Sequence, residues 1–445
     1  MSALSIRVEH ASGLHDRLTP LRDACLDAWQ STAPALPRLG PEISRWRQWR
    51  NARATGHLIL EISRRVDDHP EATTAQLAWR DNLRAMLQDF GERRFGWPNG
   101  YRRLLFGDAF YESSVAFARQ ARAFDPSLRL DDLWQAMRNV WIGNNLQMLF
   151  GRPVRLTQGL FAYSMLYPVT DNVLDAPDRS TEYKRAFNDR FGRRLNGQHV
   201  VPRDTSESHA FDLVRQIEEE FPRHPYADVW DSTLAIHRGQ IDSLRQQGRR
   251  LPESELSEIS FAKGGASVLA DLYLIVGEAT EEHERFAFGY GVFLQLLDDL
   301  QDVTTDRAAG HHTLFTLAPE AGTLDSLTAK LLNFIDVVLD RDRVGASAET
   351  GDCLDLIRRN CHSMLAAVMS GQPALFSRSF RRAVERQWPL GFRAMRRLRR
   401  RAQTRCQATS QRLQERRRVS SPLELLVPTE NCGGRQALVW HSSIR

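Results

Sequence analysis

Apolar residues along this chain recur at three- and four-residue spacing, and the alternation that marks a half-buried strand is scarce. Residues 14 to 66 read as helical, interrupted by the proline-containing stretch TAPALPRLGPE. Trp46 and Trp49, within the second half of that stretch, read as core or inter-helix packing. Further helices are predicted over Thr74 to Phe95, before the turn GWPNG, and over Tyr101 to Ala123. Asp131 to Phe150 opens with carboxylates suited to a helix N-terminus, and GRP at 151 to 153 stops it. The next helix starts near Thr157, and Pro168 inside it predicts a kink. The stretch APDRST after it reads as a loop. Ser206 to Phe221, Asp228 to Gln247, Glu253 to Val276 and Glu281 to Arg307 follow as helices, the last running out into a loop, TTDRAAGHH, placed to lie over a site. Leu324 to Leu339 and Cys353 to Met369 complete the series, and the whole reads as all-α.

The stretch Gly289 to Asp306, GYGVFLQLLDDLQDVTTD, sets a polar edge into an apolar face. Gln295, Asp298, Asp299 and Asp302 fall at i, i+3, i+4 and i+7, along one side of a helix. Carboxylates on an apolar wall repel one another and cost desolvation energy unless a cation sits among them. Mg²⁺ suits carboxylate oxygens and commonly arrives with substrate phosphate. A lone D-D-x-x-D is a weak signal, since acidic residues on helices are mostly solvated surface. Here a second acidic face lies upstream, Asp171 and Asp175 at i and i+4 in TDNVLD, after the apolar run of Leu160, Phe161, Met165 and Leu166. Two such faces can clamp metal from opposite walls of a bundle. Lys263 precedes two glycines, Gly264 and Gly265, inside a helical pattern. Glycines there cost roughly 1 kcal/mol each against Ala and are tolerated where a backbone must approach something closely. His311 and His312 lack an i, i+4 partner and make poor zinc ligands.

Composition narrows the class. The 445 residues are 42% hydrophobic and 26% charged, as in soluble globular proteins. Neither a secretory leader nor an apolar run long enough for a membrane span is evident, and five scattered cysteines without a C-x-x-C pair argue against a zinc site or disulfide framework; a cytoplasmic setting is expected. The net charge of +5 is local: it collects in the Arg-rich segment 378 to 418, with RRLRRR at 396 to 401. Phe392, Met395, Leu398 and Ala402 give that segment an amphipathic character, so contact with an anionic membrane surface is a candidate role, with a solvated helix face as the plain alternative. Nucleic acid is not an expected partner.

Four features in order now resemble the trans-polyprenyl diphosphate synthases of the class I terpenoid synthase superfamily. They are TDNVLD at 170 to 175, GQIDSL at 239 to 244, Lys263, and GVFLQLLDDLQDVTTD at 291 to 306. The last is similar to the family's second aspartate-rich motif, GQIDSL to its Gly-Gln-x-x-Asp element, and Lys263 to the lysine that contacts substrate diphosphate. The resemblance covers about 155 to 320. It implies a helical bundle with a central cavity, and the expected organisation is a catalytic domain over 126–375, an N-terminal helical extension over 1–125 packed on that core, and an Arg-rich helix and poorly ordered tail over 376–445, the two ends lying outside the resemblance. It further implies a trinuclear Mg²⁺ cluster held by Asp171, Asp175, Asp298, Asp299 and Asp302, and an allylic isoprenyl diphosphate held by Lys263 and Arg179. Gln240 and Gln295 would orient groups at the pocket wall, and Tyr163, Tyr167 and Phe293 would line the pocket. Ionisation would leave a carbocation in a dry pocket faced by aromatic rings. A homodimer is the candidate assembly.

The chain departs from the family pattern. Its first motif begins Asp-Asn, only Arg179 stands after it where two arginines are usual, and Gly264 follows Lys263 where Thr is usual. The upstream basic element is reduced to Arg152 and Arg155 in GRPVR. A weakened second-diphosphate site suits a terpene cyclase, or a head-to-head condensing enzyme of the squalene/phytoene type, as well as chain elongation. A non-catalytic binding or regulatory member of the family is the alternative from another class.

Overall fold

A computed structural model of the protein describes residues 13–70, 73–98, 101–248, 250–318, 324–340 and 348–415. Among them the fold is all-helical. The chain makes two compact units, and neither is a continuous stretch: one takes residues 1–34, 131–319 and 329–354, the other 35–130, 320–328 and 355–445. This differs from the sequential extension, catalytic domain and tail expected over 1–125, 126–375 and 376–445.

In the first unit the helices are α1 (Leu14–Ser31), α6 (Leu130–Leu149), α7 (Gln158–Asp175), α8 (Thr181–Leu195), α9 (Thr205–Glu220), α10 (Ala227–Ser243), α11 (Glu253–Val276), α12 (Glu281–Gln301), α13 (Val303–Ala309) and α14 (Leu314–Leu317). Most of α15 (Leu324–Val338) and the start of α16 (Ala348–Gly371) also belong to it. At its centre is α11, which packs α12 on one side and α10 on the other, with α1 and α7 also against it. The reason is compositional. Leu256, Ile259, Phe261, Val268, Leu269, Leu272 and Leu274 point around α11 rather than along one stripe, and all are buried. A helix apolar all round is stable in water only when surrounded. By length and hydropathy α11 would also pass as a membrane span, but 72% of that window is buried inside the fold, so it reads as a core helix.

Helix α1 packs on this core, against α10, α11 and α12. Arg17, 11% exposed, donates to Glu284 Oε1 and Oε2 at 2.6 and 3.2 Å, to Asp228 Oδ2 at 3.2 Å and to the Tyr273 hydroxyl at 3.2 Å. Glu284 is fully buried, so the pairing is what permits a carboxylate there. Trp29 makes edge contacts with Phe261 and Phe334, its ring centroid 6.2 and 5.6 Å from theirs.

In the second unit are α2 (Arg45–Asp67), α3 (Thr73–Phe90), α4 (Tyr101–Phe106), α5 (Asp108–Phe124), α17 (Arg378–Arg386) and α18 (Phe392–Glu415). Ser44 caps α2 by accepting from the Arg47 N–H. The buried amides Gln48 and Asn51 on α2 donate to the carbonyls of Glu385, Trp388 and Pro389, and Leu398 and Arg401 of α18 lie against α2 at Gly56. Phe392 and Leu398 are buried, so these two members of the expected amphipathic face of the Arg-rich helix look into protein. Trp46 and Trp49 are the reverse case: 63% and 57% exposed, they are not core. Both stand on the α2 face opposite Gln48, Asn51 and Val66.

Boundaries differ from expectation in two places that bear on function, the end of α12 and the presence of α8, whereas α7 matches it. Helix α12 ends at Gln301, Asp302 is its C-cap, and TTDRAAG is mostly the short helix α13 rather than a loop. Helix α8 was not foreseen. Helix α7 runs through Pro168 to Asp175. The tail beyond 415 lies outside the described residues.

Candidate functional site

The site is built where α11 crosses α12. A Cβ on Gly291 would lie 2.1 Å from the Gly264 carbonyl oxygen, and one on Gly264 would lie 2.5 Å from Gln295 Cβ. The backbones therefore touch at Gly264 and Gly291. This is the close approach that two glycines in a helical pattern implied. On the other flank, a Cβ on Gly239 would sit 2.8 Å from Lys263 Cα, so the glycine of GQIDSL seats α10 against Lys263. Both crossings fix the same turn of α11, and Lys263 is at its centre.

From that turn the acidic motif unfolds in layers. Gln295 donates to Asp299 Oδ1 at 2.8 Å, and Ser260 of α11 donates to Asp299 Oδ2 at 3.1 Å. Burial pushes the Asp299 carboxyl up to about 7, with those hydrogen bonds and Lys263 opposing and the charge of Asp298 reinforcing the rise. Asp298 is solvent-exposed, yet burial heads the causes that raise its pKa, with Lys263 and Arg138 opposing. Asp306 on α13 is pushed up to about 6 by burial and then by Asp302 and Asp298. Lys263 also holds His311 down, after burial. Thus Lys263, Asp298, Asp299, Asp302, Asp306 and Gln295 share one neighbourhood.

Helix α6 connects this cluster to the upstream motif. Gln135 donates to Asp171 Oδ2 at 2.8 Å, and Arg138, one turn on, acts on Asp298. Asn172 donates to Asp132 Oδ2 at 3.3 Å. Asp175 ends α7, and its side chain lies outside the described residues. Below Asp171 the α7 tyrosines face α11. Burial, then the charge of Asp271, holds the Tyr167 hydroxyl well above its ordinary value. Tyr163 is buried and donates to the Ser267 carbonyl at 2.9 Å. Deeper, Asp271 is 1% exposed. Asn139 donates to its Oδ1 at 2.9 Å, while its Oδ2 is buried with no hydrogen-bond partner. Burial raises this carboxyl well above the usual range, with the Asn139 hydrogen bond opposing.

Not every expected residue joins. Arg179 is stacked 4.5 Å over the Tyr183 ring and paired with Asp204 at 3.8 Å, so its expected role on substrate is not the contact it makes. Phe293 is fully buried in the core beside this turn of α12. Gln240 is half-buried beside the Gly239 contact, and its carbonyl accepts from the Ser243 hydroxyl. Sequence reading missed Gln135, Arg138, Asn139, Ser260 and Asp271. A signal existed for two groups. Asp132, Gln135 and Asn139 recur at helical spacing in an apolar helix, and Asp271 is a lone carboxyl in ASVLADLYLIV.

Among the described residues, no group of three or more His, Cys, Asp or Glu side chains forms a ready-made metal cage. Mg²⁺ does not require one, since it commonly uses one or two carboxylates and completes its shell with phosphate and water. Asp298 fits that donor set as it stands. Asp299 fits only after giving up a proton and its present hydrogen bonds. Comparison with known proteins gave no matching family model and no matching curated protein.

Proposed function

We propose that this chain is a Mg²⁺-dependent enzyme that ionises an allylic isoprenyl diphosphate. The observation that carries the reading is the α11–α12 crossing, which sets the wetted Asp298 and the near-neutral Asp299 beside a lysine. Nothing in helix packing alone calls for a lysine, a cluster of carboxylates and a glutamine on one wall. Asp171, Asp298 and Asp302 would hold Mg²⁺, with Asp299 once deprotonated and with Asp175 on the strength of its spacing. Bound there, the metal would neutralise charge developing on the departing diphosphate. Lys263 supplies a fixed positive charge to the same oxygens. Arg138 adds a second, from α6, where the sequence pattern offered Arg179. Tyr163 and Tyr167 give an aromatic lining below the acids, suited to a cationic hydrocarbon.

A second reading, a non-catalytic member of such a family, draws support from two observations. Arg179 is engaged with Asp204 and Tyr183, and Asn172 is engaged with Asp132. Diphosphate release separates the two. The purified chain is incubated with geranyl, farnesyl or geranylgeranyl diphosphate, with Mg²⁺ or EDTA, with and without isopentenyl diphosphate. Mg²⁺-dependent release is expected, reduced by about 10²- to 10³-fold in Asp298→Ala, the usual cost of losing one stabiliser of transition-state charge. Binding of the diphosphate without release from folded protein would favour the second reading.

A further inference from the structure

The two exposed tryptophans belong to a patterned surface. On α2, Trp46, Trp49, Arg50, Arg53 and His57 fall at i, i+3, i+4, i+7 and i+11, and all five are exposed. They form one stripe opposite the buried Gln48, Asn51 and Val66. The Arg50 guanidinium lies 4.5 Å over the Trp46 ring and that of Arg53 lies 5.8 Å over the Trp49 ring. From Ser44 to Leu60 the chain carries four arginines and no carboxylate. Against this helix packs α18, where Gly391 to Gln414 carries eight arginines and no carboxylate. Arg397, Arg401 and Arg405, at i, i+4 and i+8, are exposed, and Arg401 lies against α2 at Gly56.

We infer that the joint face of α2 and α18 docks on an anionic lipid bilayer, with Trp46 and Trp49 entering the headgroup layer. Indole rings prefer that layer, where an apolar body and a polar N–H are both satisfied. Two exposed indoles rimmed by guanidiniums on one helix face make the kind of apolar patch that marks an interaction surface. The surrounding guanidiniums match a negative surface, and each arginine near it adds attraction that salt screens. The apolar residues Phe392 and Leu398 do not serve here, because they are buried within the unit. Two tryptophans on the neighbouring helix supply the insertion instead. Single-stranded nucleic acid is the less suited occupant. Strand-binding proteins stack bases on open ring faces along a groove, whereas here the stripe runs along one helix and Arg50 and Arg53 already cover one face of each ring. The inference does not depend on the reaction proposed above.

The test uses the full chain and vesicles of phosphatidylcholine alone or mixed with phosphatidylglycerol. Co-sedimentation should show binding to the anionic vesicles only, weakening as salt rises. Brominated lipid should quench tryptophan emission. Trp46→Ala/Trp49→Ala should bind about tenfold more weakly or worse and lose that quenching, while Arg50→Gln/Arg53→Gln should weaken binding at low salt. Circular dichroism and melting keep these surface variants honest as folded proteins, and diphosphate release in solution should be unchanged in them. Equal binding to neutral vesicles, full binding by the tryptophan variant, or no binding by the parent would each overturn the inference. So would displacement from vesicles by a single-stranded oligonucleotide whose own binding is lost in the tryptophan variant.

Discussion

Asp299 accepts from Gln295 and Ser260 and is pushed up to about 7 by burial, so near neutrality its carboxyl is shared between two protonation states. A metal ligand must be deprotonated, so Mg²⁺ binding has to expel that proton. Magnesium affinity is therefore expected to rise with pH through about 7, with close to one proton released per protein at about pH 6 and less at about pH 8. Calorimetry in buffers of different ionisation enthalpy reads this directly, and pH-independent affinity would remove Asp299 from the ligand set. Asp271 gives a second residue-scale test. Its folded pKa is raised, so the folded chain holds a proton that the unfolded chain releases above about 3.9. That contribution to stability is full below this value and is lost as pH rises toward the folded pKa. Asp271→Asn removes the loss, so its melting temperature should gain on the parent as pH climbs from about 4 to about 8. A constant difference would mean that the buried carboxyl is charged in the fold. The acids of α12 were legible in the sequence because their spacing puts them on one helix edge. Arg138 was not, since no spacing within α6 tells which carboxylate lies across from it.

At the scale of elements, the α11–α12 crossing sets the site, and it depends on two missing side chains. Gly291→Ala would place a methyl group 2.1 Å from a backbone oxygen, which cannot rotate away. A loss of about 3 kcal/mol is expected, at the upper end of overpacking penalties, and denaturant melts would measure it. Gly40→Ala, with nothing within 4 Å, should change stability by less than about 0.5 kcal/mol. Equal behaviour of the two would mean that the helices do not meet at Gly291. Most helices could be traced from periodicity, because burial of one face forces the 3.6-residue repeat. Helix α8 escaped because TEYKRAFNDRFGRRL is mostly polar, with Phe187, Phe191 and Leu195 alone marking its buried edge. The tryptophans of α2 misled for a related reason: periodicity reports that a face exists, not which face the core takes. In α2 the core takes amides, Gln48 and Asn51, because carbonyls of the α17–α18 region stand opposite them.

At the scale of the whole chain, each unit gathers pieces from distant parts of the sequence. A fragment over 126–375, the catalytic domain that the linear pattern suggested, would omit α1 and strand Glu284 without Arg17. It is expected to be insoluble or molten by circular dichroism and dye binding, whereas a folded, cooperative fragment would refute the structural role of α1. In the intact protein, Arg17→Met should cost about 3–5 kcal/mol, the usual penalty for orphaning a buried charge. The pair also has a consequence for synthesis. Arg17 is bonded to a residue 267 positions later. At about 5–20 residues per second, translation separates the two by roughly a quarter of a minute to a minute. Through that interval α1 has emerged from the ribosome with its partner not yet made, and its apolar face of Leu14, Leu21 and Trp29 must be kept from wrong contacts until α12 arrives.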